Sequence, residues 1–379
     1  MLLDAPFLQT EATERLAEAF AGFELRFVGG CVRNLVLGRP VTDLDLATDA
    51  TPGQMLALGN AAGLTTHPTG VDHGTVTFVV DGLPHEITTY RRDIETNGRH
   101  AQVAFSTRLE EDASRRDFTM NALYLTLAGQ LIDPVSGLDD TKAGRVRFIG
   151  SPAERIREDY LRILRFFRFT AHYGTPSEGI DADGLAACAE HASGLTQISA
   201  ERITAELTKL LEAKRPAPAV ASMAAAGALA LILPGSSPTL LAPFADLSPY
   251  PREPMACLAA LGGDPSHLRL SKRQAKDLDL FQKEMVTITS PEALSYAHGA
   301  PKTKAIVALR SAAHGSPLPD NLGTAVTRGA SAAFPVRAAD LMPKLSGAAL
   351  GEALNRLEST WIASNFTLTR DELLSQFSD

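Results

Sequence analysis

The sequence predicts an α+β domain at the N-terminus followed by an all-α remainder, and two observations indicate this. Through roughly the first 140 residues, short β-rich runs alternate with helical patterns and are separated by turn signals. From residue 151 onward the β-rich runs stop, and helical patterns broken by proline and glycine continue to the C-terminus. The 379 residues are enough for roughly two to four structural units, and we place the change of architecture at residues 141–150.

The first elements can be assigned in order along the chain. Residues 24–28 alternate as a strand does, and a helical stretch follows over residues 32–37. Leu44 and Leu46 alternate with two aspartates, which predicts a second strand. Thr51, followed by a proline, is predicted to cap the next helix.

Two hairpins are predicted in the same domain. Residues 75–80 and 86–90 are rich in β-branched side chains and are joined by Asp81-Gly82, a hairpin signal. Residues 122–127 and 130–132 are predicted to form the second hairpin. Together with the earlier strands they predict a small mixed sheet with helices.

Helices are predicted for the rest of the chain. Ser151 and Glu154 have the spacing of a capping box at the start of the first one. Further helical patterns cover residues 201–213, 271–283, 349–359 and 370–377.

The overall charge is acidic but hides a basic segment. The net charge of -8 at pH 7 does not favour nucleic-acid binding. Between Lys142 and Arg168, however, eight basic residues stand against three acidic ones. A phosphate-rich ligand needs such a local positive field rather than a positive total charge.

Cysteine usage and the N-terminal segment indicate the location. Cys31, Cys188 and Cys257 are far apart and odd in number, which argues against a disulfide framework or a zinc site. The N-terminal segment carries acids and lacks the pattern of a signal peptide, and no apolar run is long enough to span a bilayer. We therefore expect a cytoplasmic protein that does not bind a membrane.

The strongest local pattern is VGGCVRNLVLGRPVTDLDLA, at residues 28–47. Asp43 and Asp45 are two apart on a predicted strand and so share one face. Adjacent carboxylates repel each other without a cation, and two Mg²⁺ ions would relieve that repulsion. Paired glycines before Arg33 allow N–H groups to approach a triphosphate closely. An Asp-x-Asp pair alone is more often a solvated strand face, but the glycines and the arginine at this spacing favour the metal site.

Two further patterns add arginines. In SRRDFTMNALYL, at residues 114–125, Arg116 is predicted to reach the triphosphate. In EDYLRILRFFRF, charged residues recur every three positions and form a slanting stripe on a helix. The members of this stripe are Asp159, Arg162, Arg165 and Arg168. A surface turn and a solvated helix face are the respective alternatives. The sequence also leaves open whether the helix continues through Arg157-Glu158, and a break there would aim Asp159 differently.

Asp159 and Arg162 suggest how a protein selects a base without a template. A carboxylate accepts a hydrogen bond from an exocyclic amine, and a guanidinium donates to ring nitrogens or carbonyls. Cytosine and adenine offer an amine beside an acceptor, whereas uracil and guanine offer a carbonyl where the amine would be. An unpaired buried charge costs several kcal/mol, so the wrong base is rejected.

These blocks together resemble the class II CCA-adding enzyme and bacterial poly(A) polymerase family. The resemblance covers residues 25–210 well and the remainder weakly, and its five blocks occur in the family's order. They are Gly29-Gly30 with Arg33 and Asp43-Leu44-Asp45, then residues 115–122, then Asp133-Pro134 with Gly137 and Asp140, then Glu158-Asp159 with Arg162, Arg165 and Arg168-Phe169, and finally Glu201-Arg202-Ile203 with Glu206-Leu207.

The resemblance implies a head with the metals (residues 1–145), a neck that recognises the base (146–215), and a body and tail that bind tRNA (216–379). It implies addition of C, C and A to the tRNA 3′ end from CTP and ATP, with two Mg²⁺ ions held by Asp43 and Asp45.

The resemblance also implies which residues contact the nucleotide and which support them. Glu201 and Arg202 are implied to brace the nucleotide site. The implied nucleotide-binding residues are Gly30, Arg33, Arg116, Asp159, Arg162, Arg165 and Arg168.

Poly(A) polymerase is the alternative within the family. Residues 91–105 stand where the family has the flexible loop that permits terminal A addition, which disfavours a CC-only enzyme. Residues 70–80 are similar to CCA-adding members, and the basic signature expected of poly(A) polymerases is not found.

A small-molecule nucleotidyltransferase and a non-catalytic RNA-binding module are the rivals from other classes. Glu86 is a possible third acidic residue near the metals. The sequence leaves the oligomeric state open.

Overall fold

The structure is a computed structural model that describes residues 1–97, 100–342 and 344–376, without the side chains of residues 93–103. It divides into two compact units. The first comprises Met1–Ser236 and Asp264–Arg269, and the second comprises Ser237–Gly263 and Leu270–Asp379. Within the described residues every strand belongs to the first unit, which confirms the predicted change from α+β to all-α architecture.

The first unit contains the sheet and eleven of the helices that the described ranges form. Its strands are β1 (Leu25–Val28), β2 (Asp45–Thr48), β3 (Thr65–Gly70), β4 (Thr75–Val80), β5 (Leu83–Thr89), β6 (Arg91–Asn97), β7 (His100–Phe105), β8 (Tyr124–Thr126) and β9 (Leu131–Ile132). Its helices are α1 (Glu11–Ala19), α2 (Gly30–Val36), α3 (Pro52–Ala61), α4 (Leu109–Ser114), α5 (Gly137–Ala143), α6 (Pro152–Glu158), α7 (Leu161–Tyr173), α8 (Ala182–Glu190), α9 (Ala200–Leu211), α10 (Pro216–Ala225) and α11 (Ala228–Ile232).

Seven of the described strands form one mixed sheet in the order β3-β4-β5-β2-β1-β8-β9. In its interior, β2 runs parallel to β5 and antiparallel to β1. Leu46 and Ala47 of β2 are buried, because helices and loops cover both faces here, whereas Asp45 at the beginning of the strand is exposed. The sheet therefore presents one exposed charged residue at the end of an otherwise buried inner strand.

The hairpin between β4 and β5 forms as predicted. Its turn residues Asp81 and Gly82 both have positive φ, at 52° and 77°. Positive φ at both central positions defines a type I′ turn, whose twist matches that of the paired strands. The predicted hairpin of β8 and β9 also forms, with shorter strands than the sequence pattern predicts.

Strand β3 is a feature that the sequence does not predict, because Pro68 interrupts it. Proline has no N–H to donate to a ladder and is confined to edge strands and bulges. In the structure β3 is an edge strand, and its register with β4 shifts between His67 and Gly70. The edge position and the irregularity together accommodate the proline.

The segment at residues 91–105, which the resemblance aligns with the family's flexible loop, contains β6 and β7. These strands pair antiparallel in a sheet of their own. Residues 98 and 99, between them in the sequence, lie outside the described part of the chain.

Apolar residues pack on both faces of the main sheet. On one face Leu46, Phe78 and Ile87 belong to a cluster that includes residues of α1, α2 and α3. On the other face Tyr90 and Tyr124 are fully buried with residues of α4. Full burial of a large apolar side chain stabilises the fold by roughly 1.5–3 kcal/mol. Packing on both faces thus holds β2 firmly in place within the sheet.

Predicted helix starts are confirmed at two positions. The Thr51 hydroxyl accepts a bond from Gln54 N, and the Gln54 side chain accepts one in return, which closes a capping box at α3. Ser151 accepts a bond from Glu154 N at the start of α6, so the predicted cap forms, but the return bond from the Glu154 side chain that a full capping box requires is absent between these described residues. Helix α6 ends at Glu158 and α7 begins at Leu161, because Asp159 has extended backbone angles of φ −153° and ψ 104°.

The second unit is helical throughout its described residues. Its aromatic cluster is centred on Trp361, against which Tyr296, Phe334 and Phe366 pack. None of the helices in the described ranges has the length and apolar character needed to cross a membrane. Its helices are α12 (Leu241–Leu247), α13 (Pro254–Leu261), α14 (Lys272–Met285), α15 (Pro291–His298), α16 (Ala300–His314), α17 (Leu322–Ser331), α18 (Ala338–Leu341), α19 (Gly347–Ala363) and α20 (Arg370–Ser375).

The predicted helices of the second unit form, with boundaries that differ by a few residues. Ser271 closes a capping box with Gln274 at the start of α14. The last predicted helix ends at Ser375, and Phe377, which was included in that prediction, lies outside the described residues. The division of the chain at residues 145 and 215 stays a prediction.

Candidate active site

Two carboxylates lie at the beginning of β2. Asp45 is the first residue of the strand and pairs in register with Glu86 on the parallel strand β5. Asp43 lies in the irregular segment before it, so the prediction that one strand carries both aspartates is wrong. A turn shapes this segment, since Asn34 Nδ2 donates to Pro40 O at 3.0 Å and Thr42 Oγ1 donates to Asp43 at 3.1 Å.

The two carboxylates have no cationic partner among the described residues. Desolvation raises the pKa of the Asp45 carboxyl, and the negative charges of Glu86 and Asp43 raise it further, against the opposing charge of Arg116. Negative charges that converge without an ion pair of their own are a suitable site for a cation. The donor set of two exposed carboxylates fits Mg²⁺, which is typically held by one or two carboxylates while phosphates and waters complete its shell.

Glu86 does not complete a protein cage for a metal. In the described part of the chain, no three or more His, Cys, Asp or Glu side chains approach one another closely enough to hold one ion. Its position opposite Asp45 in the sheet makes it an electrostatic neighbour of the carboxylate pair.

The paired glycines lie between β1 and α2. Gly29 has φ 74°, a left-handed conformation that favours glycine, and a Cβ atom there would lie 3.5 Å from Arg116 Nη1. Gly30 is the first residue of α2, and its absent side chain leaves space beside Arg33 Nη2, 3.7 Å from where a Cβ would be. Both distances are ordinary van der Waals contacts, so it is the positive φ of Gly29 that favours glycine in this turn, with a guanidinium group beside each of the two residues.

Arg33 of α2 is buried in the first unit, with 7% of its surface exposed. Its Nη1 donates to Asn121 Oδ1 at 2.5 Å, its Nη2 donates to Tyr173 OH at 2.7 Å, and Nε and Nη2 donate to Asn34 Oδ1. All three partners are neutral, and desolvation lowers the pKa of the guanidinium. Of its five N–H donors, one on Nη1 has no partner among the described residues.

Arg116 is held differently, by a buried carboxylate. Its Nη2 lies 3.0 Å from Asp112 Oδ2, and Arg115 Nη2 lies 2.5 Å from Asp112 Oδ1. Tyr124 OH also donates to Asp112, at 2.6 Å. Burial alone would raise the pKa of the Asp112 carboxyl, but Arg116 and Arg115 lower it well below its ordinary range. Asp112 therefore stays ionised and fixes both arginines.

A second carboxylate network joins the head to α7. Asp117 accepts from Arg165 at 2.8 and 2.5 Å and from Asn121 Nδ2 at 2.9 Å. Glu206 on α9 lies 2.5 Å from Arg168 Nε and 3.7 Å from Arg165 Nη1. Since Asn121 also accepts from Arg33, hydrogen bonds connect Arg33 of α2 with Arg165 of α7 through Asn121 and Asp117.

Asp159 lies in the break between α6 and α7, and Arg162 lies in the first turn of α7. Asp159 Oδ1 accepts from Leu161 N at 3.1 Å, and its Oδ2 lies 2.7 Å from Arg202 Nη2. Arg162 forms an ion pair with Glu158 and donates to Arg155 O at 2.8 Å. The helix breaks where the sequence left its continuity open: Asp159 precedes α7 and is oriented by the break, whereas Arg162, Arg165 and Arg168 of the stripe lie on α7.

Two family models match parts of this chain. Residues 25–147 match the family model of the poly A polymerase head domain, and residues 179–240 match the model "Probable RNA and SrmB- binding site of polymerase A". Zebrafish (Danio rerio) mitochondrial CCA tRNA nucleotidyltransferase 1 is 35% identical over 396 residues, which cover 98% of this chain and 91% of that protein. This chain belongs to the class II CCA-adding enzyme family. It is a nucleotidyltransferase.

Other members of the CCA-adding family match over shorter or more distant alignments. The human mitochondrial enzyme is 44% identical over 217 residues, and here the match spans 56% of this chain and 50% of that protein. The crystal structure of the Bacillus stearothermophilus CCA-adding enzyme in complex with CTP has a TM-score of 0.76 at 28% identity and covers 94% of each chain. The Thermotoga maritima CCA-adding enzyme complexed with tRNA, at 19% identity and a TM-score of 0.67, shares the fold.

Several residues that shape this CCA-adding family site are not among those predicted. Asp112 precedes Arg115 and Arg116 by three and four positions, a spacing that indicates ion pairs on a helix and was available from the sequence. Tyr173 has no comparable signal, since its contact with Arg33 spans 140 positions of sequence. Of the two predicted bracing residues, Arg202 contacts Asp159, whereas Glu201 is exposed and lies 4.0 Å from Arg269.

Proposed function

We propose that this chain adds C, C and A to the 3′ end of tRNA, using CTP and ATP and no nucleic-acid template. One observation carries the proposal. The same compact unit contains both the carboxylate pair, which forms no ion pair among the described residues, and the ion-paired arginines of α7. It is supported by whole-length similarity to a CCA tRNA nucleotidyltransferase and by a structural neighbour in complex with CTP.

Asp43 and Asp45 would hold two Mg²⁺ ions. When bound, such ions supply activation of the attacking 3′-hydroxyl and charge neutralisation at the leaving pyrophosphate. The two side chains offer hard oxygen donors, and a nearby cation would oppose the raised pKa of Asp45 and favour its ionised form. Glu86 would add negative potential beside them.

The triphosphate would contact Gly30, Arg33 and Arg116. Arg33 offers a charge without a carboxylate partner among the described residues, and one free N–H. Arg116 is already paired with Asp112, so it would contribute a fixed donor with less net charge. Positioning by such donors is the main requirement of phosphoryl transfer.

The base would be selected by Asp159 and Arg162, with Arg165 and Arg168 as further nucleotide contacts. Each oxygen of Asp159 has one described bond, so the carboxylate retains lone pairs for an exocyclic amine. Arg162 keeps unused N–H groups beside its bonds to Glu158 and two carbonyls. Bracing by protein groups would hold both side chains at fixed angles, which the rejection of uracil and guanine requires.

The helical remainder would bind tRNA. Lys272, Arg273 and Lys276 are exposed on α14, and Arg269 is exposed in the first unit. Phosphate contacts from such residues position an RNA without reading its sequence.

We also propose a cytoplasmic location. All three cysteines are free and buried, as is usual in a reducing compartment. The zebrafish and human relatives are mitochondrial proteins, so fractionation of the source cells, probed with an antibody to the chain, is the measurement that decides between the two compartments.

The test is incubation of the purified protein with Mg²⁺, CTP and ATP on tRNA lacking its terminal CCA and, separately, on an unrelated oligo-RNA. Three additions to tRNA that stop after A are expected. Long A tails on either RNA would instead assign the alternative, a poly(A) polymerase. The controls are Asp43→Ala, expected to be inactive, and Asp4→Asn, an exposed carboxylate elsewhere in the first unit, expected to be active. Absence of any Mg²⁺-dependent product would refute both assignments.

A further inference from the structure

Tyr173 is the last residue of α7 and contacts two arginines of the head. The guanidinium of Arg33 lies 4.0 Å from the centroid of its ring, and Arg33 Nη2 donates to its hydroxyl at 2.7 Å. The guanidinium of Arg39 lies 4.8 Å from the same ring and also donates to His172 O at 2.8 Å. One aromatic ring thus holds two cations that belong to different parts of the head.

The chemistry of this contact differs from that of the other site arginines. Arg116, Arg165 and Arg168 are each held by a carboxylate, which fixes the guanidinium but cancels its charge. The face of an aromatic ring attracts a cation through its quadrupole and carries no net charge, and a hydroxyl accepts a hydrogen bond without neutralising the donor. Tyr173 therefore orients Arg33 and leaves its positive charge available to an anion.

Arg39 extends the contact toward the carboxylates. It lies in the segment that leads from α2 to Asp43, and its backbone N donates to Asn34 O at 2.8 Å. The Asn34 side chain in turn donates to Pro40 O, at 3.0 Å. The ring of Tyr173 is thus joined to the turn that precedes Asp43 as well as to Arg33.

We propose that Tyr173 is a positioning residue for nucleotide binding, which presents the uncompensated charge of Arg33 to the triphosphate and fixes the segment leading to Asp43. The inference rests on the proposed function and adds a residue from the neck helix to the phosphate site of the head. Its chemical target is the triphosphate, not the base, so it affects CTP and ATP alike.

The test measures steady-state kinetics of the first C addition in wild type, Tyr173→Phe and Tyr173→Leu. Phe keeps the ring and loses the hydroxyl bond, so we expect the KM for CTP to rise about 3-fold; Leu loses both, so we expect about 10-fold. The KM for ATP on tRNA ending in CC should rise by the same factors. The kcat should change less than KM in Tyr173→Phe, because Phe keeps the ring that contacts Arg39 and so keeps the segment leading to Asp43 in place.

A binding measurement separates positioning from a general loss of structure. The ratio of the affinities for CTP and CMP should fall in both variants, since Arg33 acts on the phosphates added in CTP. The matched control is Tyr296→Phe, which removes a hydroxyl bond to Glu358 in the second unit and should lower Tm without moving this ratio. An unchanged CTP-to-CMP ratio in Tyr173→Leu would overturn the inference.

A double-mutant cycle tests the route of the effect. If Tyr173 acts through Arg33, then Tyr173→Phe should add almost nothing to the KM of Arg33→Ala. Full additivity of the two effects would contradict the inference. If wild type incorporates no nucleotide at all, the proposed function fails; if wild type is active and Tyr173→Leu matches it in KM, only the role of Tyr173 fails.

Discussion

The two parts of the candidate site treat their charges in opposite ways. At the start of β2, Asp43 and Asp45 have no cationic partner among the described residues, and the pKa of Asp45 is raised. On α7, Arg165 and Arg168 each contact a carboxylate, and the pKa of Arg165 is raised, since the charges of Asp117 and Glu206 outweigh its desolvation.

This difference separates groups that await a ligand from groups that organise the site. Uncompensated like charges are unfavourable in the free protein and become favourable when a cation arrives. Buried ion pairs are already satisfied, and removal of one partner leaves a costly unpaired charge. Changes to the carboxylates should therefore affect activity far more than stability, and changes to the ion pairs should affect stability first.

The largest expected effect is on the rate. Asp45→Ala removes half of the proposed metal-binding pair, and we expect nucleotide incorporation to fall about 10³-fold or more, equivalent to about 4 kcal/mol in the barrier. The measurement is single-turnover addition of C to tRNA, with circular dichroism to show that the fold is retained. Retention of more than a tenth of the wild-type rate would mean that these carboxylates do not hold the ions.

The next effect is on stability. Asp112→Asn should lower the free energy of unfolding by about 3 kcal/mol, because Arg115 and Arg116 lose their buried counter-charge. Asp139→Asn, at an exposed carboxylate on α5, should change it by about 0.5 kcal/mol or less. Urea unfolding followed by circular dichroism at pH 7 compares the two.

The pH dependence of the Asp112 effect has a definite sign. Because the folded-state pKa of its carboxyl is lowered, its stabilisation is complete above the unfolded-state pKa of about 3.9 and is lost as pH falls toward the folded-state pKa. The difference between wild type and Asp112→Asn should therefore shrink below about pH 4. A difference that grows on acidification would contradict the ionised assignment of Asp112.

A smaller effect is expected on α9, where two glutamates provide a matched pair. Glu206→Gln weakens the contacts to Arg165 and Arg168 and should cost about 1–3 kcal/mol of stability. Glu201→Gln removes an exposed carboxylate 4.0 Å from Arg269 and should cost almost nothing. Since α7 also carries the predicted base-reading arginine, Glu206→Gln should raise UTP misincorporation as well. Equal behaviour of the two variants would show that the α7 network is not organised by Glu206.

The sequence predicts local features of this protein better than its long-range contacts. The turn at Asp81-Gly82 and the cap at Thr51 follow from the conformational preferences of single residues, so their prediction succeeds. Strand β3 is missed because Pro68 is tolerated only through its edge position, which is a property of the whole sheet. The pattern left open whether the helix breaks near Asp159. One of the partners that hold the Asp159 side chain there is Arg202, which is 43 positions away in the sequence.

The same limit applies to the candidate site. Residue types at short spacing identified the carboxylate pair and the arginines, because charge and donor geometry are intrinsic to each side chain. Which arginine is neutralised and which is not depends on partners from other elements, such as Glu206 for Arg168 and Tyr173 for Arg33. The distinction between organising and ligand-seeking charges is therefore a property of the fold.

The smallest expected effect is also the most direct test of that distinction. In metal-free buffer, Asp45→Asn should raise the free energy of unfolding by a few tenths of a kcal/mol, roughly the size of an exposed charge interaction, because it removes repulsion from Asp43 and Glu86. The folded-state pKa of Asp45 is raised. The free energy of unfolding of wild type should therefore rise to that of the variant as pH falls through that pKa and the carboxyl takes up a proton.

Added Mg²⁺ should make wild type the more stable of the two proteins at neutral pH, because the ion binds folded wild type and stabilises it by mass action while the variant gains less. Calorimetry of both proteins with EDTA and with Mg²⁺ measures the four values. If the variant were the less stable protein in EDTA, the carboxylates would be structural groups, and the contrast with the arginines of α7 would not hold.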